Sequence, residues 1–247
     1  DTDCSSAFPR VRAKYDELLV RLQAAPESIS APHPRTGEIL ELDIKREHVV
    51  FLLRAALYSA ETARLLPLVI ERAHVGDYGP MLALSDPIVE GVSEMNVAMM
   101  FSVLCAEDIS WVTEEDWHMI VAEPLLGSLL IDTWSQVCDF WPRGEIPEGY
   151  HDPVVSDKPV LVLSGELDPV TPPRWGAATA EHLSNSLHIV VPGAAHGTSM
   201  YGCVPKLIAE FVEAATVDGL DAACVDVLER PMFFHSFTGP RVGIANE

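Results

Sequence analysis

Pro159-Val160-Leu161-Val162-Leu163-Ser164-Gly165-Glu166-Leu167-Asp168 is an apolar run that closes on a serine, a glycine and two acids. Four apolar residues in succession, without alternation, are the pattern of a short strand covered on both faces. Pro169-Val170-Thr171-Pro172-Pro173 follows. There Thr171 is placed to cap a helix whose first turn holds the prolines and which ends near Leu183. Leu187 to Val191 repeats the strand pattern and stops at Pro192-Gly193. Next come Ala194-Ala195-His196-Gly197 and an amphipathic stretch with Val204, Leu207, Ile208, Phe211 and Val212 on one face. Strand, helix, strand, helix is the unit of a parallel sheet flanked by helices, so the fold class is α/β.

The rest of the chain reads differently. Residues 1–150 are almost wholly helical in pattern, and the change comes at the Pro/Gly-rich stretch Trp141 to Pro153. Val11, Tyr15, Leu18, Leu19 and Leu22 recur at helical spacing up to Pro26. Pro32, Pro34 and Gly37 make a turn-rich link into a weakly alternating segment, Glu38 to Ile44. Further helices are expected over Glu47 to Tyr58, Glu61 to His74 with a restart at Pro67, and Ile88 to Leu104. A last one covers Glu115 to Phe140, with breaks at Pro124 and Gly127. This divides the chain into residues 1–150 and 151–247.

Charge narrows the function classes. Lys+Arg 16 against Asp+Glu 37 gives a formal net charge of −21, a field that repels nucleic-acid backbones and anionic lipid. No apolar run reaches the roughly 18 residues that a membrane span needs. Neither nucleic acid nor a membrane span is therefore expected. Asp1 to Pro9 has neither the basic start nor the apolar core of a signal peptide. The five cysteines, Cys4, Cys105, Cys138, Cys203 and Cys224, form no C-x-x-C pair and no zinc-type spacing with histidines. No metal or cofactor is expected, and composition leaves buried thiols and disulfides both open.

Asp168 lies just past the carboxyl end of the first strand and His196 just past that of the second, 28 positions on. Ligands of open α/β sheets sit outside those ends, so both side chains are expected in one crevice. An Asp–His pair is the orienting half of a nucleophilic triad: the acid fixes the tautomer and the imidazole takes the nucleophile's proton. Each residue alone has a plainer reading, Asp168 as a helix cap and His196 as a satisfied loop histidine.

Pro159 to Pro173 resembles the acid-bearing segment of the α/β-hydrolases, and Val191-Pro-Gly-Ala-Ala-His-Gly197 resembles their histidine loop. More narrowly, these segments are similar to the TAP-like C-terminal region of tripeptidyl-aminopeptidase and proline-iminopeptidase relatives, peptidase family S33. Gly202-Cys203 with Cys224, Trp134, Cys138 and Trp141-Pro142, and the opening Asp3-Cys4 with Ala7-Phe8-Pro9 fit the same pattern. The resemblance implies Asp168 and His196 as catalytic acid and base. It also implies a helical cap over 1–150 and the C-terminal part of the hydrolase core over 151–247. In the cap, Cys105-Ala106-Glu107-Asp108 resembles a segment facing the active site. An aminopeptidase must hold an α-ammonium, and Glu107 and Asp108, with Glu94 a further candidate, carry the counter-charge; solvated charges at a helix end are the plainer reading. Trp111, Trp117, Trp134 and Trp141 are candidates to line an apolar pocket or to pack the cap. With the resemblance in place, the expected bridges are Cys105–Cys138 and Cys203–Cys224, which imply a periplasmic or secreted protein. Cys4 is left to pair with a segment upstream.

One part of the pattern is missing. The family carries its nucleophile in a G-x-S-x-G elbow, whose glycines permit a sharp strand-to-helix turn, and no such motif occurs here. Gly91-Val-Ser93, Gly127-Ser128 and Gly197-Thr-Ser199 all lack the second glycine. Two parallel strands also leave open edges that need covering. The expectation is a partial α/β-hydrolase fold: a helical cap, then the last two parallel strands with flanking helices, without the nucleophile half. The N-terminal half, in the same precursor or a separate chain, would supply the serine and complete an exported aminopeptidase acting on short peptides. An esterase on the same scaffold and a non-catalytic subunit or degenerate binding domain are the alternatives.

Overall fold

The computed structural model describes residues 2–93, 95–122 and 129–240. Helices α1 (Thr2–Ala7) and α2 (Val11–Ala24) open the chain. Strands β1 (Glu27–Pro32) and β2 (Ile39–Ile44) then form an antiparallel hairpin in which Ile29 faces Leu42 and Pro32 faces Ile39. The expectation for this region held only for β2. Small and polar residues with a proline at its end conceal β1, which acquires its conformation from pairing rather than from its own propensity.

Helices α3 (Arg46–Ala56), α4 (Ala60–Ala63) and α5 (Leu66–His74) follow, α5 with a proline in its first turn. The helix expected over Ile88 to Leu104 is two. One, α6 (Gly79–Ser93), begins earlier and carries Pro87 inside it. The other, α7 (Val97–Val103), starts afresh where Asn96 Oδ1 accepts the Met99 N–H at 3.0 Å. A π-helical turn, Leu104–Asp108, and a 3₁₀ turn, Ile109–Trp111, continue from α7. Then come α8 (Glu114–Ala122) and α9 (Leu129–Cys138). The breaks expected at Pro124 and Gly127 lie outside the described residues.

The C-terminal part runs β3 (Val160–Gly165), α10 (Pro173–Ala180), β4 (Ser186–Val191) and α11 (Val204–Ala214). The two strands are parallel and in register from Val160 opposite Ser186 to Gly165 opposite Val191. Among the described residues this sheet has two strands, as does the hairpin. One face of β3–β4 packs Leu161, Leu163, Ile189 and Val191 against Val204 and Leu207 of α11 and Val225. On the other face Ser164 Oγ and His188 Nε2 are 2.9 Å apart beneath α10. There Gly176 approaches so closely that a Cβ would stand 2.6 Å from Ser164 Oγ. Burial falls short of the fully covered strands expected, with Val190 39% exposed. Val212 likewise points to solvent rather than into the core face of α11. The eight-residue α10 is too short to cover the face that α11 leaves open.

Contacts divide the chain into two compact units: residues 1–21, 55–81 and 153–247 form one, and residues 22–54 and 82–152 the other. The first contains the parallel sheet, with Tyr15, Leu18, Val191 and Val204 almost fully buried. The second contains the hairpin and the helices α7 to α9, with Val50, Cys105 and Cys138 buried. Each unit holds one of the expected bridges, Cys203–Cys224 in the first and Cys105–Cys138 in the second. Cys4 takes part in neither. No helix of the described residues is long and apolar enough to cross a membrane.

Candidate active site

The site forms where the ends of β3 and β4 are fastened together. Gly165, the last residue of β3, lies directly under the histidine loop: a Cβ here would stand 2.0 Å from the Ala195 carbonyl oxygen and 2.7 Å from that of Ala194. Only glycine allows that approach. Beyond it, the Glu166 N–H donates to Val191 O at 3.1 Å and the Leu167 N–H to Ala194 O at 2.9 Å. The Gly193 N–H in turn donates to Glu166 Oε2 at 2.8 Å. Gly193 has φ +66° and abuts the Glu229–Arg230 backbone, a position no side chain could take. These contacts set the two loops side by side.

His196 Nδ1 lies 3.0 Å from Asp168 Oδ2 and 3.2 Å from Oδ1. The Asp168 side chain is 4% exposed and that of His196 38%. Asp168 is fully engaged: Oδ1 accepts the Val170 and Thr171 N–H groups at 2.8 and 2.9 Å, and Oδ2 accepts the Thr171 hydroxyl at 2.8 Å. Burial pushes the Asp168 carboxyl up, but the hydrogen bonds from Thr171, Val170 and His196 outweigh it and hold it below its ordinary value. A carboxylate beside Nδ1 stabilises the tautomer with the proton on that nitrogen and leaves Nε2 free as an acceptor. Such an arrangement is suited to general-base chemistry.

Thr171 does not cap α10 as its position suggested. Pro172 occupies the cap with no side-chain hydrogen bond, and the Thr171 hydroxyl turns back to Asp168, 3.3 Å from His196 Nδ1. From the other side, the His196 N–H donates to Tyr58 O at 3.1 Å, and the Tyr58 ring meets the imidazole edge to face at 5.2 Å. Glu166 and Tyr58 were not singled out from the sequence, and Thr171 only as a helix cap. The Asp-x-x-Thr spacing was a usable signal for Thr171, whereas nothing local connects Tyr58 to a residue 138 positions away.

Glu107 and Asp108 sit on the π-helical turn of the second unit. Glu107 Oε2 accepts the hydroxyl of Tyr150. That bond, then burial and the charges of Glu107 and Asp108, push the Tyr150 phenol up. Tyr150 meets the His151 ring edge-on at 5.2 Å, and Trp111 lies 3.8 Å from His151 between ring centroids. Glu107 and Asp108 therefore belong to an acidic and aromatic cluster within their own unit. Trp141 packs on Phe101 and donates to Ser102 Oγ, and Arg54 lies over Trp134. Glu94 and Ser128 lie outside the described residues. No group of His, Cys, Asp and Glu among the described residues is arranged to hold a metal.

Residues 123–224 match the family model of the TAP-like proteins. The match spans both Asp168 and His196, and for that region it supports a relationship to the α/β-hydrolases. No curated protein and no solved structure matches the chain.

Proposed function

We propose that the chain is the C-terminal part of a serine hydrolase of the S33 peptidase type, an exported aminopeptidase that releases N-terminal residues or short peptides. The carrying observation is the 3.0 Å contact between His196 Nδ1 and Asp168 Oδ2 at the ends of two adjacent parallel strands. In this reading a serine from outside the chain, on a G-x-S-x-G elbow, attacks the scissile carbonyl. His196 Nε2 takes the hydroxyl proton and returns it to the leaving amine, and Asp168 stabilises the imidazolium. Among the described residues, no serine hydroxyl lies within hydrogen-bond reach of His196. Glu107 and Asp108 supply negative charge for the substrate's α-ammonium, with the rings around Tyr150 beside them. The two bridges and the lack of a membrane-spanning helix among the described residues are compatible with secretion or the periplasm.

The test is complementation. The chain by itself should hydrolyse neither aminoacyl amides nor esters above a trace and should not be labelled by a serine-directed phosphonate. Joined to an upstream segment bearing a G-x-S-x-G elbow, it should do both, and His196→Ala should abolish turnover. Phosphonate labelling of Ser199 or any other serine of this chain would sink the assignment.

A further inference from the structure

Two contacts tie the histidine loop to one short stretch of the chain, Tyr58 to Glu61. The first is the His196 N–H on Tyr58 O, with the two rings in contact. The second lies five residues further along the loop, where the Tyr201 hydroxyl donates to Glu61 Oε2 at 3.0 Å and reaches Oε1 at 3.2 Å. The stretch that receives them is itself rigid. Ser59 Oγ accepts the Glu61 N–H at 3.2 Å and caps α4, while its hydroxyl donates to Glu61 Oε2 at 2.9 Å. Thr62 Oγ1 closes the same turn by donating to Ser59 O at 3.0 Å.

We propose that Glu61 and Tyr201 are positioning residues of the acid–base site, a latch that holds the His196 loop against the Tyr58–Glu61 turn so that the imidazole stays on Asp168. The loop needs such a hold. Gly197 at φ +82° and Gly202 at φ +48°, both in the conformation glycine adopts most readily, flank the Thr198–Met200 turn. Upstream of His196 the loop is zipped to β3 by Glu166 and Leu167; downstream, Tyr201 is its polar tie to the capped turn. With both ends held, the ring has one orientation, toward Asp168. The latch is also durable at neutral pH. Burial and the Glu61 carboxylate push the Tyr201 phenol up to about 12. Burial pushes Glu61 up, but bonds from Ser59, its own N–H and Tyr201, with Arg64 nearby, hold it below its ordinary value. The inference rests on the acid–base reading of Asp168 and His196 given above.

The experiment follows the His196 ring nitrogens and backbone amide by NMR in the ¹⁵N-labelled full chain. Tyr201→Phe and Glu61→Ala should each mix the two imidazole tautomers and speed exchange of the His196 amide on the order of tenfold, the loss expected for one hydrogen bond to a charged group. Glu61→Gln, which keeps an acceptor for the phenol, should retain the wild-type ring signals. Unchanged ring signals in a folded Tyr201→Phe protein would overturn the proposal. So would a uniform rise in exchange over β3, β4 and α11, because that assigns the pair to general stability; the same holds for a Glu61→Gln protein as disturbed as Glu61→Ala. Asp168→Asn is the separate control: if it leaves the tautomer of His196 unchanged, the acid–base reading fails whatever the latch does.

Discussion

The α-carbon of Gly165 faces the carbonyl oxygen of Ala195 at a distance that leaves 2.0 Å for any Cβ. The residue before the candidate base therefore rests directly on the last residue of the acid's strand. Gly165→Ala should push the histidine loop off the strand end. The expected cost is about 1–3 kcal/mol, the range for forcing extra carbon into a packed interior. Urea unfolding measures it, and loss of the His196–Asp168 contact should appear in the imidazole signals at the same time.

Acid should loosen the site through Asp168. Its carboxyl is held below the ordinary 3.8 in the folded state, so the unfolded chain binds the proton more readily. That difference stabilises the fold above the unfolded value and is lost as pH falls through the lower, folded one. Asp168→Asn should remove this contribution, giving a stability curve that is flatter below about pH 4 than that of the wild type. Unfolding midpoints across that acid range test the sign.

Thr171→Val keeps the shape of the side chain and removes the hydroxyl that reaches Asp168 Oδ2 at 2.8 Å. A hydrogen bond to a charged group contributes about 1.5–3 kcal/mol, so stability at neutral pH should fall by roughly that amount. The Asp168 carboxyl should titrate higher as well, which NMR of the side chain follows directly.

Reduction should destabilise each unit. Cys203–Cys224 spans 21 residues and Cys105–Cys138 spans 33. Closing loops of those lengths is worth about 3 and 4 kcal/mol respectively in the chain-entropy account. Melting with and without a reductant, alongside single Cys→Ser variants, separates the two bridges.

Glu107→Gln should weaken hydrolysis of peptides with a free amino terminus far more than that of N-blocked esters in the complemented enzyme. Only the former present a cation to the carboxylate. Equal losses on both substrates would leave Glu107 a role in holding Tyr150 alone.

Residue order alone determined the parallel pair of strands, because short runs rich in Val, Leu and Ile that stop at glycine and proline leave little room for helix, and it placed Asp168 and His196 at their ends. It also marked most of the helices, through apolar spacing and prolines. The cysteine pairs came from resemblance, since spacing cannot choose among partners. Tertiary structure decided the rest. β1 exists because β2 lies beside it, and Thr171 leaves the helix cap because a buried carboxylate offers its hydroxyl a stronger bond than an orphan N–H does. Tyr58 and Glu61 meet His196 and Tyr201 of the histidine loop from more than a hundred residues away, and no local propensity encodes such a meeting. Hydrophobic periodicity reports which face of an element is buried; the groups that meet there are settled only when the chain closes on itself and buried polar atoms compete for partners.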